Sequence, residues 1–257
     1  MKIGIIGLGK MGEALVTGLR ASKEGATFSI RATTRSKESA ADAVKRLKID
    51  CGTDNAQLVS ACDTLILCVK PHQAQALLEP IASQITSKHL LVTVCASLTT
   101  AQVSQWSGDK APVIRAMPNT PCLIGEGMTV LCSGAGVQSK HLASIEKIFA
   151  TVGRTAVVEE PLMDGVTGLS GCGPAYVYLM IEALSEAGVK VGLPRETATL
   201  LASQTMMGSA KMVLERGEHP AALKDEVTTP AGCTIDGLMA LEEGKLRVTL
   251  IKAVLAA

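Results

Sequence analysis

Short apolar runs alternate with helical periodicity along the first 160 residues, and only helical periodicity follows them. The clearest run, Thr64–Val69, is almost continuously apolar, as in a strand buried in a parallel sheet. Alternating strands and helices predict an α/β domain with a mostly parallel sheet. The expected strands are Lys2–Ile6, Thr27–Thr33, Thr64–Val69, Leu90–Val94, Val113–Ala116, Gly127–Cys132 and Thr155–Val158. The expected helices between them are Ser36–Leu47, Asn55–Ala61, Pro71–Ile85 and Ser139–Ala150.

The second half of the chain is predicted to be all-helical. The alternation stops near Glu159–Pro161, so we place a boundary there and expect domains at residues 1–160 and 161–257. A small helical domain with apolar faces on several sides buries its surface poorly alone, so we expect a homo-oligomer interface here. Packing of these faces on the first domain of the same chain is the alternative. The expected helices are Pro174–Val189, Arg195–Glu215 and Lys245–Ala257, with helical spacing also from Ile235 to Leu241.

Composition removes several classes of function. The chain has 257 residues and a net charge of +1 without a basic block, which argues against nucleic acid and anionic membrane surfaces as partners. Aromatic residues make up 2% of the chain, too few for base-stacking platforms. No apolar run approaches the roughly 20 residues of a membrane span. The N-terminal run lacks a signal-peptide layout, so we expect a cytoplasmic protein.

The cysteines and histidines do not indicate a metal site. None of the eight cysteines forms a C-x-x-C pair, and the four histidines lack ligand spacing. Most cysteines lie inside apolar runs, which is typical of buried free thiols in a reducing compartment. We therefore expect no metal.

A glycine-rich turn follows the first strand directly. Gly7-Leu8-Gly9-Lys10-Met11-Gly12 is a G-x-G-x-x-G sequence between a strand and a helix, the context in which it binds dinucleotides. Gly7 would allow the tight turn, Gly9 would let the backbone approach a pyrophosphate, and Gly12 would let the helix pack close to the strand. The sequence therefore predicts a Rossmann dinucleotide-binding domain; a glycine-rich turn without a ligand is the alternative.

The end of the second strand favours NADPH. An NAD site usually has an acidic residue there to bind the ribose hydroxyl groups, but the segment Thr27–Lys37 contains none. It offers Thr33, Thr34, Arg35 and Ser36 instead, and a guanidinium suits a 2′-phosphate. The alternative is that Arg31 and Arg35 are simply solvated. NADPH is the expected cofactor, and use of NADH stays open.

Three further strand ends are candidates for cofactor contact, because open α/β sheets bind ligands beyond the carboxyl ends of their strands. Lys70 follows one strand and Cys95–Ser97 follows the next, although a lysine at a strand end is otherwise an ordinary surface residue. Met117–Pro121 contains two prolines, so this loop is stiff and should position a group. The expected cofactor contacts are Ile6, Gly7, Leu8, Gly9, Lys10, Met11, Thr34, Arg35, Asn55, Val69, Lys70, Pro71, Cys95, Ala96, Ser97 and Asn119.

A second anion site is indicated at Glu226–Leu238 (EVTTPAGCTIDGL). Hydroxyl groups, a stiffening Pro230 and an uncovered backbone at Ala231 and Gly232 lead directly into helical spacing. The N–H groups and the dipole at a helix N-terminus favour an anion such as a small carboxylate. The alternative is an ordinary helix start with Thr234 as its N-cap.

With these stretches in place, the whole chain resembles the pyrroline-5-carboxylate reductase family. The resemblance rests on Gly7–Gly12, Val69–Pro71 and Met117–Pro121, and most strongly on Thr167–Tyr176 (TGLSGCGPAY) and Lys224–Leu238 (KDEVTTPAGCTIDGL). The family usually has Ser where this chain has Cys172 and Gly where it has Ala231. Both replacements are small, so they affect fine geometry and not the assignment.

The resemblance implies reduction of the C=N bond of L-1-pyrroline-5-carboxylate to L-proline by NADPH, the last step of proline biosynthesis. It implies that Thr234 contacts the substrate ring nitrogen and that Thr229, Gly232, Cys233 and Thr234 hold the substrate. Positioning and electrostatics would do most of the protein's work. It also implies dimers formed through interlocked helical domains, an active site shared between two subunits, and rings of dimers.

Three other functions compete with this one. A β-hydroxyacid-type dehydrogenase would need a catalytic lysine four residues after the Gly173 turn, where this chain has Val177, which cannot transfer a proton. A non-catalytic NADP-binding sensor would keep Gly7–Gly12 but would not need the second anion site. A structural oligomer with a vestigial cofactor fold would bind no NADPH.

Overall fold

The computed structural model describes residues 1–23 and 25–257. The chain divides into two compact units, a first unit at Met1–Gly171 and a second unit at Cys172–Ala257. The last strand ends at Val157, and the described elements after it are helical. The change from mixed to helical structure thus falls where the periodicity changes, while the domain boundary at residue 160 stays a prediction.

The first unit contains an eight-stranded sheet in the order β3-β2-β1-β4-β5-β6-β7-β8. Its strands pair in parallel except for β6 and β7, which are antiparallel. The order 3-2-1-4-5-6 is that of dinucleotide-binding sheets, so the predicted fold class is confirmed. The strands are β1 (Lys2–Ile6), β2 (Ser29–Thr33), β3 (Asp50–Gly52), β4 (Thr64–Leu67), β5 (Leu90–Thr93), β6 (Val113–Pro118), β7 (Gly127–Ser133) and β8 (Gly153–Val157).

The helices of the first unit match the predicted pattern with two differences. The helix expected at Pro71–Ile85 ends at Leu78 and continues as a 3₁₀ segment at Glu79–Ile81, because Pro80 cannot donate the hydrogen bond of a continuing α-helix. The helix at Thr100–Trp106 was not predicted and, in the sheet, neither was strand β3. The helices are α1 (Lys10–Ala21), α2 (Lys37–Leu47), α3 (Asn55–Ala61), α4 (Pro71–Leu78), α5 (Thr100–Trp106), α6 (Ser139–Ala150) and α7 (Met163–Val166), and a π-helical turn (Thr167–Gly171) follows α7.

The sheet has a hydrophobic core on each face. In β4, Ile66 belongs to one core, whereas Leu65 and Leu67 belong to the other, as the alternation of side chains along a strand requires. All four residues of β4 and all four of β5 are buried. The continuous apolar runs in the sequence therefore mark the centre of the sheet, where helices cover both faces.

The second unit is all-helical. Helices α8 and α9 pack against each other, and Gly188 permits their close approach because a Cβ there would lie 2.8 Å from the Cβ of Ala198. In this unit the buried apolar residues among those described are Ala198 and Ala202. No helix in the described part of the chain has the length and apolar character of a membrane span. The helices are α8 (Gly173–Lys190), α9 (Arg195–Arg216), α10 (Pro220–Glu226), α11 (Cys233–Glu243) and α12 (Leu246–Ala256).

Candidate cofactor and substrate sites

The glycine turn has the geometry that its sequence predicts. Gly7 has φ +86°, a left-handed conformation that glycine adopts at little cost, and a side chain there would collide with Cγ1 of Val69. The N–H groups of Gly7 and Leu8 both donate to the carbonyl of Thr33, at 3.1 and 2.9 Å. The turn is therefore fixed to the end of β2, next to the point where the strand order reverses between β1 and β4.

Gly9 and Gly12 have the surroundings that the two remaining roles of the motif require. A Cβ added at Gly9 would meet no atom within 4 Å, so the space in front of this backbone is open. A Cβ at Gly12 would lie 3.1 Å from the Ile5 side chain, so this glycine lets α1 pack on β1. Gly9 is the N-cap of α1 and has no side-chain cap, which leaves the first N–H groups of the helix available to a phosphate.

Several hydroxyl side chains lie at the end of β2. The buried Thr33 hydroxyl donates to Oδ1 of Asn55 at 2.7 Å, and the Thr34 hydroxyl donates to the carbonyl of Ser36 at 3.0 Å. Ser36 caps α2 by accepting from the N–H of Ser39. Arg35 is exposed and has no ion-pair partner among the described residues, so its guanidinium is available for an anion.

A cavity of about 340 Å³ adjoins Thr34 on the side of α1 and α2. Arg46 reaches Glu13 at 2.7 Å and Asp42 at 2.7 Å, which raises the Arg46 pKa, chiefly through the hydrogen bond to Glu13. Both carboxylates near the expected phosphate site are thus ion-paired, and one guanidinium balances one of their two negative charges. The sequence analysis missed this cluster, although the i,i+4 spacing of Asp42 and Arg46 was a signal. The cavity is lined by Leu8, Glu13, Thr34, Glu38, Ser39, Asp42, Ala43 and Arg46.

A hydrogen bond from a thiol links the segments that follow β4 and β5. Cys95 is 2% exposed, and its Sγ donates to the carbonyl of Val69 at 3.1 Å. Burial raises the pKa of this thiol, so it stays protonated and serves as a structural donor. A cofactor contact by Cys95 would have to use its backbone. Ser97 has φ +64°, a strained conformation for a serine, at the exposed end of this loop.

The residues after β4 are arranged as a helix start. Pro71 is the first residue of α4, as predicted, and Lys70 is its N-cap. Lys70 is exposed, and its ammonium group has no ion-pair partner within the described residues. Ile6, Lys10, Met11 and Ala96 lie at the same carboxyl ends of the strands or in the first turn of α1. Their cofactor contacts stay predictions.

Asn119 already has structural partners for its side-chain amide. Its Oδ1 accepts from the N–H of Met128 at 2.9 Å, and its Nδ2 donates to the carbonyl of Ser170 at 3.3 Å. It therefore fastens the stiff loop after β6 to β7 and to the π-helical turn, a type of segment that is frequent at functional sites. The expectation that this loop positions a group, and a cofactor contact by Asn119, stay predictions.

In the second unit, Thr229–Gly232 forms a tight turn, which we call the proline turn. The N–H of Gly232 donates to the carbonyl of Thr229 at 3.0 Å, and Ala231 has φ +57°. Pro at the second position and a left-handed third residue are the features of a type II turn. Glycine is preferred at that third position, and a left-handed alanine costs about 1–2 kcal/mol.

Helix α11 begins directly after the proline turn. Its N-cap is Gly232, so the alternative with Thr234 as N-cap is wrong: Thr234 is the second residue of the helix. A Cβ at position 232 would lie 2.5 Å from the Thr229 hydroxyl oxygen, so that hydroxyl lies against the helix start. Gly232 gives no side-chain cap, and the Thr234 hydroxyl has no hydrogen-bond partner in the described part of the chain. Cys233 is exposed.

The two sites can do different chemistry. The first unit offers a strand–turn–helix with free N–H groups, hydroxyls and a free guanidinium, which suits a phosphorylated dinucleotide. The second unit offers uncapped N–H groups at a helix start and a free hydroxyl, which suits a small carboxylate with a hydrogen-bonding neighbour. Among the described residues, no three His, Cys, Asp or Glu side chains come together in a way that could hold a metal ion.

Comparison with known proteins gives matches to both halves of the chain. A family model described as pyrroline-5-carboxylate reductase dimerisation matches residues 160–257. A second model, described as NADP oxidoreductase, coenzyme F420-dependent, matches residues 2–97.

Similar proteins match over the full length. The pyrroline-5-carboxylate reductase of Arabidopsis thaliana is 40% identical, over 100% of this chain and 92% of its own length, and that of Escherichia coli (strain K12) is 39% identical, over 98% and 94%. A solved structure of Plasmodium falciparum pyrroline carboxylate reductase with NADP bound covers 100% of this chain and 95% of its own, at TM-score 0.86 and 36% identity. One from Coxiella burnetii covers 99% and 94%, at TM-score 0.93 and 35% identity.

Proposed function

This chain belongs to the pyrroline-5-carboxylate reductase family, and we propose that it reduces the C=N bond of L-1-pyrroline-5-carboxylate to L-proline, with NADPH supplying the hydride. The carbon of the C=N bond gains the hydride, and the ring nitrogen carries the added proton. The observation that carries this function is the 40% identity to a named reductase along the whole chain.

The first unit would hold the cofactor through the glycine turn and the end of β2. The open space before Gly9 and the uncapped start of α1 suit the pyrophosphate. The Arg35 guanidinium, the Thr34 hydroxyl and the capped start of α2 suit the 2′-phosphate, and Arg46 reduces the repulsion from Glu13 and Asp42. The remaining contacts expected at Asn55, Val69–Pro71, Cys95–Ser97 and Asn119 belong to this proposal.

The second unit would hold the substrate carboxylate. The N–H groups at Cys233 and Thr234, together with the Thr229 hydroxyl, form the proposed seat at the start of α11. The Thr234 hydroxyl would hydrogen-bond the ring nitrogen and support its protonated form, because a protonated imine accepts hydride more readily. Its lack of a described partner supports this role. Since no covalent intermediate between protein and substrate is needed, the protein would contribute positioning and electrostatics.

We propose a homo-oligomer built on the second unit, with residues 161–257 as the dimerisation domain and with dimers assembled into a ring. Large apolar side chains exposed on α8 and α9, such as Leu179 and Leu200, support a partner surface, as does the match to the dimerisation model. In such a dimer the substrate seat of one copy serves the cofactor of the other. The free cysteines support a reducing compartment, and we propose the cytoplasm.

The test is NADPH oxidation with L-1-pyrroline-5-carboxylate, with NADH measured beside it. Substrate-dependent loss of NADPH absorbance, faster than loss of NADH at low cofactor concentration, is the expected result. Binding of NADPH without turnover would favour the sensor, and absence of binding would favour a structural oligomer. Oxidation of a β-hydroxyacid by NADP⁺ would indicate the dehydrogenase instead.

A further inference from the structure

A salt-bridge cluster joins two helices of the second unit, one of which leads into the proline turn. Arg216 is the last residue of α9, and Glu226 is the last residue of α10. Nη1 of Arg216 donates to Oε2 of Glu226 at 2.7 Å, and Nη2 donates to Oε1 at 2.6 Å, so the guanidinium binds this carboxylate at two points. Its Nε and Nη2 also donate to Oε1 of Glu218, at 2.9 and 2.7 Å. The ends of α9 and α10 are therefore held together.

A short, hydrogen-bonded segment connects the end of α10 to the proline turn. Two residues separate Glu226 from the turn, and the second of them, Thr228, is bonded back to α10. Its N–H donates to the carbonyl of Asp225 at 3.0 Å, and its hydroxyl donates to the carbonyl of Lys224 at 2.9 Å. A displacement of the end of α10 would therefore move the proline turn with it.

The turn itself needs outside support because of Ala231. Its left-handed conformation is unfavourable for alanine, and such conformations persist where the surrounding structure fixes them. The Arg216 and Glu226 side chains are 34% and 48% exposed, and exposed ion pairs add little to global stability. The effect of this pair should therefore appear in the local order of the turn.

We propose that Arg216 is a positioning residue for the substrate seat, acting through Glu226 to hold the proline turn with Ala231 in its left-handed conformation. The proposal deepens the function proposed above and rests on it for the identity of the ligand. It does not depend on that function for the mechanical link between the ion pair and the turn.

The kinetic test is a double-mutant cycle between Glu226→Gln and Ala231→Gly. Glu226→Gln should raise the substrate KM about threefold, the scale of one exposed ion pair, while kcat and the NADPH KM stay unchanged. In the Ala231→Gly background the same change should raise the substrate KM by less than about 1.5-fold, because glycine adopts the left-handed conformation unaided. Equal effects in both backgrounds would overturn the proposal.

Glu218→Gln is the matched control, since it removes a carboxylate from the same guanidinium without touching the chain that leads into the turn. Its substrate KM should equal that of the wild type. A rise equal to that of Glu226→Gln would mean that any loss of charge at Arg216 has the same effect, and would contradict a path through α10.

Hydrogen–deuterium exchange provides a readout that is independent of activity. In the unliganded full-length protein, a peptide covering residues 227–234 should exchange faster in Glu226→Gln than in wild type and Glu218→Gln, because the Gly232 N–H is bonded within the turn. Unchanged exchange would refute the positioning role even if the enzyme reduces the imine. Faster exchange in a protein without imine reductase activity would refute the proposed function alone.

Discussion

The two units of this protein bury their apolar side chains in opposite ways. The first unit buries hydrophobic side chains on both faces of its sheet, with large ones such as Phe149, Ile66 and Leu78 fully buried. The second unit has many apolar side chains on α8 and α9. In a single chain, the apolar residues that it buries among those described are the small Ala198 and Ala202. Leu179 and Leu200 are each 66% exposed.

This difference concerns where the core of each unit is completed. A sheet covered by helices on both faces completes its core within one chain. A short stack of helices that leaves leucines in water gains its stability by covering them, and a second copy is the partner that the dimerisation match favours. The pattern of apolar residues alone therefore does not indicate whether a core is completed within one chain or by a partner chain.

The largest expected effect is loss of the oligomer in Leu200→Arg. A buried leucine contributes about 1.5–3 kcal/mol, and an arginine in an apolar interface adds the cost of burying a charge, once per copy. We expect light scattering to show monomers with little reductase activity. Val44→Arg, at an exposed apolar position of the first unit, should keep the wild-type mass. An unchanged mass for Leu200→Arg would show that this face of α9 does not form the interface.

The next effect concerns the seat in the second unit. Thr234→Ala should lower kcat roughly tenfold, the scale of about 1.4 kcal/mol of lost transition-state stabilisation. The NADPH KM should be unaffected, since the proposed cofactor contacts lie in the first unit. Steady-state kinetics with both substrates varied separates the two parameters, and unchanged turnover would exclude Thr234 from the reaction.

A comparable test applies to the first unit. Arg35→Asp should raise the NADPH KM about tenfold or more while changing the NADH KM little, because a charge-assisted bond to a 2′-phosphate is lost. Arg31→Gln is the control, since Arg31 is already paired with Asp50 at 3.4 Å. Equal changes for the two cofactors would refute the 2′-phosphate role.

The smallest effect is a pH-dependent one at Glu226. Hydrogen bonds from Arg216 hold the pKa of this carboxyl below its usual range. A lowered folded pKa stabilises the fold above the pKa of an unfolded glutamate, and that stabilisation is lost as the pH falls through the folded value. Glu226→Gln should therefore have a slightly lower Tm at neutral pH and approach wild type below about pH 4. A constant difference across the pH range would contradict the ion pair.

Much of the first unit could be predicted because its signals are local. The α6 helix at Ser139–Ala150 and the role of Gly7 follow from periodicity and from one turn that only glycine fits. Strand β3 was missed because its three residues, Asp50–Gly52, contain no apolar run. Its pairing with β2 is a tertiary contact that periodicity does not encode.

The sequence predicted which segments form the candidate sites, but it did not predict the geometry of those sites. The sequence indicated an anion turn at the start of α11 but allowed Thr234 as its N-cap, because the helix start depends on the conformation of Ala231 and Gly232. The pairs Arg46–Glu13 and Arg216–Glu226 join residues on different helices, so their formation depends on packing. The use of the Asn119 amide within the protein was likewise visible only in the fold.

In the proposed dimer, another copy completes the second unit and also brings its substrate seat to the first copy's cofactor. The most direct measurement is the activity of mixed oligomers of Arg35→Asp and Thr234→Ala chains, co-expressed with different tags and purified through both. Activity at low NADPH should be well above that of either variant alone, since some sites then combine an intact cofactor unit with an intact substrate seat. Activity no higher than the mean of the two variants would contradict it, because each site would then contain one of the two lesions.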